Sequence, residues 1–113
     1  MIAVSLNKIT QAAHQFPEVR KDELHHGDCV IIRTVKSTYT LRVLAGGVYE
    51  ASGGWFDKKG YSKMKIGVAG VTWGGSTIIP AVLAACGMRI EFMNRLITSP
   101  VQKIVIIPAS VLN

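Results

Sequence analysis

The residues best suited to chemistry in this chain are cations and hydroxyls set on extended backbone. One segment is Arg33-Thr34-Val35-Lys36-Ser37-Thr38-Tyr39-Thr40-Leu41-Arg42, and the other is Arg95-Leu96-Ile97-Thr98-Ser99-Pro100-Val101. Arginine forks match phosphate or carboxylate bidentately, and serine and threonine hydroxyls add donors. Such a set suits binding an anion better than breaking a bond. The candidate ligand-binding residues are Arg33, Lys36, Ser37, Thr38, Arg42, Thr98 and Ser99, with Trp55 as a stacking surface.

Catalysis lacks its usual parts. His14, His25 and His26 all precede residue 29, and the rest of the chain offers only Glu50, Asp57 and Glu91 as carboxylates. A serine or cysteine nucleophile needs a base within reach and a third group to orient it. Cys29 follows His25 and His26 closely, but adjacency in sequence does not create that geometry. The expectation is a non-enzymatic protein with no catalytic residue and no cofactor. His25-His26-Gly27-Asp28-Cys29 gathers metal-ligand types, yet zinc sites usually draw converging ligands from two separated pairs. It reads as a polar connector, with no metal expected. Gly70-Val71-Thr72-Trp73-Gly74-Gly75-Ser76-Thr77 lacks the lysine a P-loop places after its last glycine. A nucleotide-hydrolase site is therefore excluded.

Charge narrows the partners. The 113 residues carry a formal net charge of +6. In residues 1–28, Lys8, Arg20 and Lys21 are outweighed by Glu18, Asp22, Glu23 and Asp28. The remainder is strongly basic, with Lys58, Lys59, Lys63 and Lys65 close together. A basic body favours anionic partners. The expected function is binding of a small anionic, nucleotide-like ligand, with the chain as a homo-oligomer. One alternative is a β-barrel for single-stranded nucleic acid, in which aromatics stack on bases while cations follow the backbone. Another is a structural, self-assembling protein, because sheet edges and doubly apolar strands such as Val30-Ile31-Ile32 invite association.

The elements that must position these residues are mostly strands. Leu6, Ile9, Ala13 and Phe16 recur at helical spacing after Ser5, and Pro17 closes that helix. Glu18–Asp28 is a charged connector. Cys29–Val35 and Thr38–Leu44 form a hairpin, in which Tyr39, Leu41 and Val43 face the core and Thr38, Thr40 and Arg42 face outward. Val48–Ser52 is a third strand, Trp55-Phe56 an aromatic loop, and Lys65–Trp73 a further strand. Ser76–Ala85 reads as extended, although Pro80 and Gly87 would also frame a short helix. Met88–Met93 and Leu96–Ile107 form a closing hairpin with Pro100 at an edge or bulge.

The fold expected is all-β: a small barrel or sandwich of six to seven strands with one N-terminal helix. The single compact domain divides into residues 1–27, helix and connector, and residues 28–113, the β domain. Ile66–Met88 is uncharged and long enough to cross a bilayer, but its glycines and Pro80 point to buried strands joined by a turn, so no membrane is expected. Cys29 and Cys86, both in apolar sequence, read as small buried thiols, and no signal peptide is evident at the N-terminus. A cytoplasmic location follows from these readings.

Four phrases resemble a group of small bacterial β-proteins: Gly27-Asp28-Cys29-Val30-Ile31-Ile32-Arg33-Thr34, Ser37-Thr38-Tyr39-Thr40-Leu41, Gly87-Met88-Arg89-Ile90-Glu91-Phe92 and Thr98-Ser99-Pro100-Val101. The group shares a Gly-Asp start, an Arg-Thr…Ser-x-Tyr hairpin and a late Thr-Ser-Pro-Val strand. The resemblance spans most of residues 27–107. It implies a β body and, since the group has no established activity, brings no functional residues with it.

Overall fold

The computed structural model describes residues 14–74 and 76–112. These residues form antiparallel sheets that curl into a half-barrel, with a short helix at the C-terminal end. The strands are β1 (His14–Gln15), β2 (Glu18–Arg20), β3 (Cys29–Thr34), β4 (Thr38–Val43), β5 (Val48–Gly53), β6 (Met64–Thr72), β7 (Ile78–Ile79), β8 (Val82–Ala85), β9 (Arg89–Phe92) and β10 (Val101–Ile107). The helices are α1 (Gly54–Lys58) and α2 (Ala109–Leu112). Residues in β1, β2 and β7 are too few for alternation to register in sequence, which is why the pattern predicts only six to seven strands.

The main sheet runs β1-β10-β3-β4-β5-β6-β7, with β9 also paired to β6, and β2-β8 form a second small sheet. Alternation on β4 works as expected. Tyr39, Leu41 and Val43 are buried, while Thr38 and Arg42 are exposed. On β3, Val30 and Ile32 are fully buried, while Ile31 lies half-buried on the opposite face. Together with Phe56, Phe92, Leu83, Ile90 and Ile104 they make one continuous core. Burying each such side chain contributes about 1.5–3 kcal/mol.

Several expected elements differ. Most of the helix expected over Leu6–Phe16 lies outside the described residues. Its last turn is not helical: His14–Gln15 pairs with Val105 and Ile106, and the Phe16 N–H donates to the Ile104 carbonyl at 3.1 Å. The open edge of β10 offers backbone partners there that a helix would leave unmet. The charged connector contains a strand, because Val19, 1% exposed, brings β2 onto β8. Segment 76–86 is extended, as β7 and β8, and the four residues of β8 are all buried.

The closing hairpin is only partly formed. Thr98 N donates to Ile90 O, and Glu91 bridges Ile97. Beyond Pro100 the chain leaves β9 and pairs instead with β3, with an irregularity between Val101 and Lys103. Proline has no N–H to continue the ladder. Cys86 is exposed rather than buried, with its Sγ 3.6 Å from the Gln102 carbonyl. Cys29 is half-buried, and burial pushes its thiol pKa up, partly opposed by Arg42. Among the described residues no helix is long and apolar enough to cross a membrane.

Candidate anion-binding site

A cleft of about 240 Å3 opens where the β3–β4 turn meets residues 96–99. Its lining brings together Lys36, Ser37, Trp55, Lys58, Arg89 and Thr98, with Tyr39, Leu96, Ile97 and Ser99 completing the wall. Three of these are cations and none is a carboxylate. The ion pairs among the described residues, Arg20–Asp22 and His25–Asp28, involve none of the three. The cleft lining is therefore positive, and none of its three cations is ion-paired with a described side chain.

Hydroxyls build this site more than they decorate it. Thr34 Oγ1 donates to the Ser37 carbonyl and accepts from Ser37 N–H, closing the hairpin turn. Ser99 Oγ donates to Thr34 Oγ1 at 2.8 Å and accepts from Lys36 N–H at 2.9 Å. Thr98, 2% exposed, donates its hydroxyl to the Ser99 carbonyl and accepts from Ile90 N–H. Thr98 and Ser99 thus spend their hydroxyl protons inside the protein, which corrects their reading as ligand donors. They pin the Lys36 turn to the segment between β9 and β10. Ser99→Ala should cost about 1–2 kcal/mol in urea denaturation, since it strips partners from Lys36 N–H and Thr34 Oγ1. Faster hydrogen exchange at the Lys36 amide should accompany it.

The aromatic floor is set by a glycine pair. Gly53 and Gly54 both have positive φ, 84° and 43°. A Cβ on Gly54 would lie 2.8 Å from the Tyr39 hydroxyl, so only glycine lets α1 start against that ring. Asp57 then accepts from Gly53 N–H at 2.9 Å and from the Ser62 hydroxyl, and these bonds hold its carboxyl below the usual range. The aromatic loop expected at Trp55-Phe56 is therefore a short capped helix. It sends Phe56 into the core and leaves Trp55 half-buried at the cleft. Phe56 meets Trp55 and Phe92 edge-on at centroid distances of 5.3 and 5.1 Å. Tyr61, exposed, lies 5.5 Å from Trp55.

Of the eight residues predicted to bind, Lys36, Ser37, Trp55, Thr98 and Ser99 converge here. Arg33 and Thr38 do not. They lie on the outer sheet face with Ile31, Lys103 and Val105, in a separate groove. Arg42 is exposed, opposite Cys29 and Glu50 in the ladder. Period-two alternation puts all three side chains on the face away from the core. Arg89 and Lys58 were not among the predicted binders. Lys58 was visible as part of a lysine-rich stretch. Arg89 gave no signal, because its position depends on β9 pairing with β6.

A second cavity, about 250 Å3, lies at the opposite end of β3 and is lined by Glu18, Glu23 and Asp28 among apolar side chains. Those carboxylates disfavour the same ligand. Asp28 is already engaged, accepting from His25 N–H at 2.8 Å and Ala109 N–H at 2.9 Å.

Comparison with protein-family models, with curated proteins and with solved structures finds no match to this chain. The functional reading therefore rests on the cleft itself.

Proposed function

We propose that this protein is a non-enzymatic binding module for a small anionic, nucleotide-like ligand held in the Trp55 cleft. The observation that carries the reading is the convergence of Lys36, Lys58 and Arg89 around one accessible indole, with no carboxylate in the lining. The cations attract phosphate, and a flat ring stacks on Trp55. At about 240 Å3 the cleft falls below the roughly 300–1,000 Å3 usual for drug-sized ligands, which favours a ligand no larger than a mononucleotide. A homo-oligomer belongs to the same reading, supported by half-buried Ile31 and Val105 on the outer face of the sheet.

Trp55 supplies its own reporter. The chain has 2 tryptophans, and Trp73 is 71% exposed, so Trp73→Phe isolates Trp55. Titration with nucleoside mono-, di- and cyclic phosphates should quench the remaining indole saturably. Ligand at about 100 times Kd should stabilise the fold by about 2.7 kcal/mol. No quench and no thermal shift with any of them would remove the proposal.

Exposed Tyr61 beside Trp55 favours a second reading, in which a single strand extends across both rings. Contacts from Lys36, Lys58 and Arg89 to three phosphates would give a slope of log K against log salt near −2, from about −0.7 per phosphate. A free mononucleotide binding with a shallower slope than a short oligonucleotide separates the two.

A further inference from the structure

The floor of the cleft contains a polar group that the described residues leave unpaired. Tyr39 is 4% exposed, its ring locked between Phe56 at 6.1 Å and Phe92 at 6.0 Å. Among the described residues its hydroxyl has no hydrogen-bond partner. Nor is that oxygen sealed off, since among the described residues no buried side-chain oxygen or nitrogen lacks a partner. Tyr39 lines the cleft beside Trp55, and the oxygen sits where a Cβ on Gly54 would approach it to 2.8 Å. A buried phenol usually finds a partner. Tyr39 lines the cleft, so a molecule held there can supply that partner.

We infer that Tyr39 is the specificity-determining residue of the cleft, its hydroxyl hydrogen-bonding a polar ring edge or sugar hydroxyl of a nucleoside monophosphate stacked on Trp55. This rests on the proposed binding function and goes further by dividing the labour within the site. Lys36, Lys58 and Arg89 hold the anion and would hold any small anion of the right size. Tyr39 reads the uncharged part, and a bare phosphate leaves its hydroxyl unpaired. A site built to hydrogen-bond a ligand rejects an analogue that lacks the matching group. The phenol is well suited to this because its ring cannot turn away, and its O–H both donates and accepts.

The experiment compares the wild-type chain with Tyr39→Phe by isothermal titration. The probes are the four common nucleoside 5′-monophosphates and inorganic pyrophosphate. Tyr39→Phe should weaken the preferred nucleoside monophosphate about 3- to 10-fold, the range of one neutral hydrogen bond. Pyrophosphate affinity should stay unchanged, and so should Tm, because the hydroxyl bonds no described residue. If wild type binds nucleotides and Tyr39→Phe binds them equally well, the inference is overturned while the binding function stands. Equal weakening toward nucleotide and pyrophosphate overturns it too, as does a clear fall in Tm, which would assign the hydroxyl to the fold. If wild type binds pyrophosphate but no nucleotide, or none of the probes, both the inference and the nucleotide reading fail.

Discussion

Replacing Phe56 with alanine should lower the unfolding free energy by about 3–5 kcal/mol, the range for removing a fully buried phenylalanine. Against the roughly 5–15 kcal/mol that holds a typical domain, this is a large fraction. Phe56 is 0% exposed, and its ring meets Trp55, Tyr39 and Phe92. Three elements share that contact: α1, β4 and β9. Alanine would leave a cavity that a glycine-initiated five-residue helix cannot close by moving inward, because Gly54 already lies against Tyr39. The midpoint of urea denaturation measures the loss, and ligand affinity should fall with it, since Trp55 loses its backing. Val35→Ala is the control. Val35 is 59% exposed at the hairpin tip and should change stability by less than about 0.5 kcal/mol. A Phe56→Ala loss as small as that would mean the aromatic cluster does not organise this end of the barrel.

The same cluster shows why part of the fold was legible and part was not. Alternation from Thr38 to Val43 identified the buried face of β4, because side-chain direction on a strand follows from residue parity alone. Parity also places Arg33, Thr38 and Arg42 on the outer face. It does not say which end of the hairpin receives a distant segment. That depends on Ser99 Oγ reaching Thr34 Oγ1 across 65 residues. Lys36 and Ser37 line the cleft because they sit at the tip of the β3–β4 turn, where residues 96–99 meet it. Thr98 was identified as a neighbour but given the wrong task, since its hydroxyl closes the loop instead of meeting a ligand. The β10 pairing was hidden for a different reason. Neighbouring strands usually pair, but here the stretch after Pro100 finds β3 instead of completing a hairpin with β9.

Arg89→Ala should weaken binding of the preferred nucleoside monophosphate about 10- to 100-fold, corresponding to the roughly 1.5–3 kcal/mol of a hydrogen bond to a charged group. Lys36→Ala and Lys58→Ala should each weaken it less than about 5-fold. The difference follows from how the cations are held. Lys36 and Lys58 are exposed and must lose side-chain freedom to meet an anion. Arg89 is half-buried on β9, and one guanidinium nitrogen already donates to the Thr98 carbonyl at 3.3 Å. That anchor leaves its other donors oriented before a ligand arrives, so less entropy is lost on binding. Arg89→Lys should recover only part of the affinity, because an ammonium keeps the charge without the planar fork. Tm separates binding from folding. Removing the guanidinium takes a partner from the carbonyl of Thr98, a residue 2% exposed, and should cost the fold about 1–3 kcal/mol. Equal losses for Arg89, Lys36 and Lys58 would mean that the cleft attracts anions only by its summed charge. A dominant Arg89 would mean that a preformed fork, set by the pairing of β9 with β6, grips the phosphate.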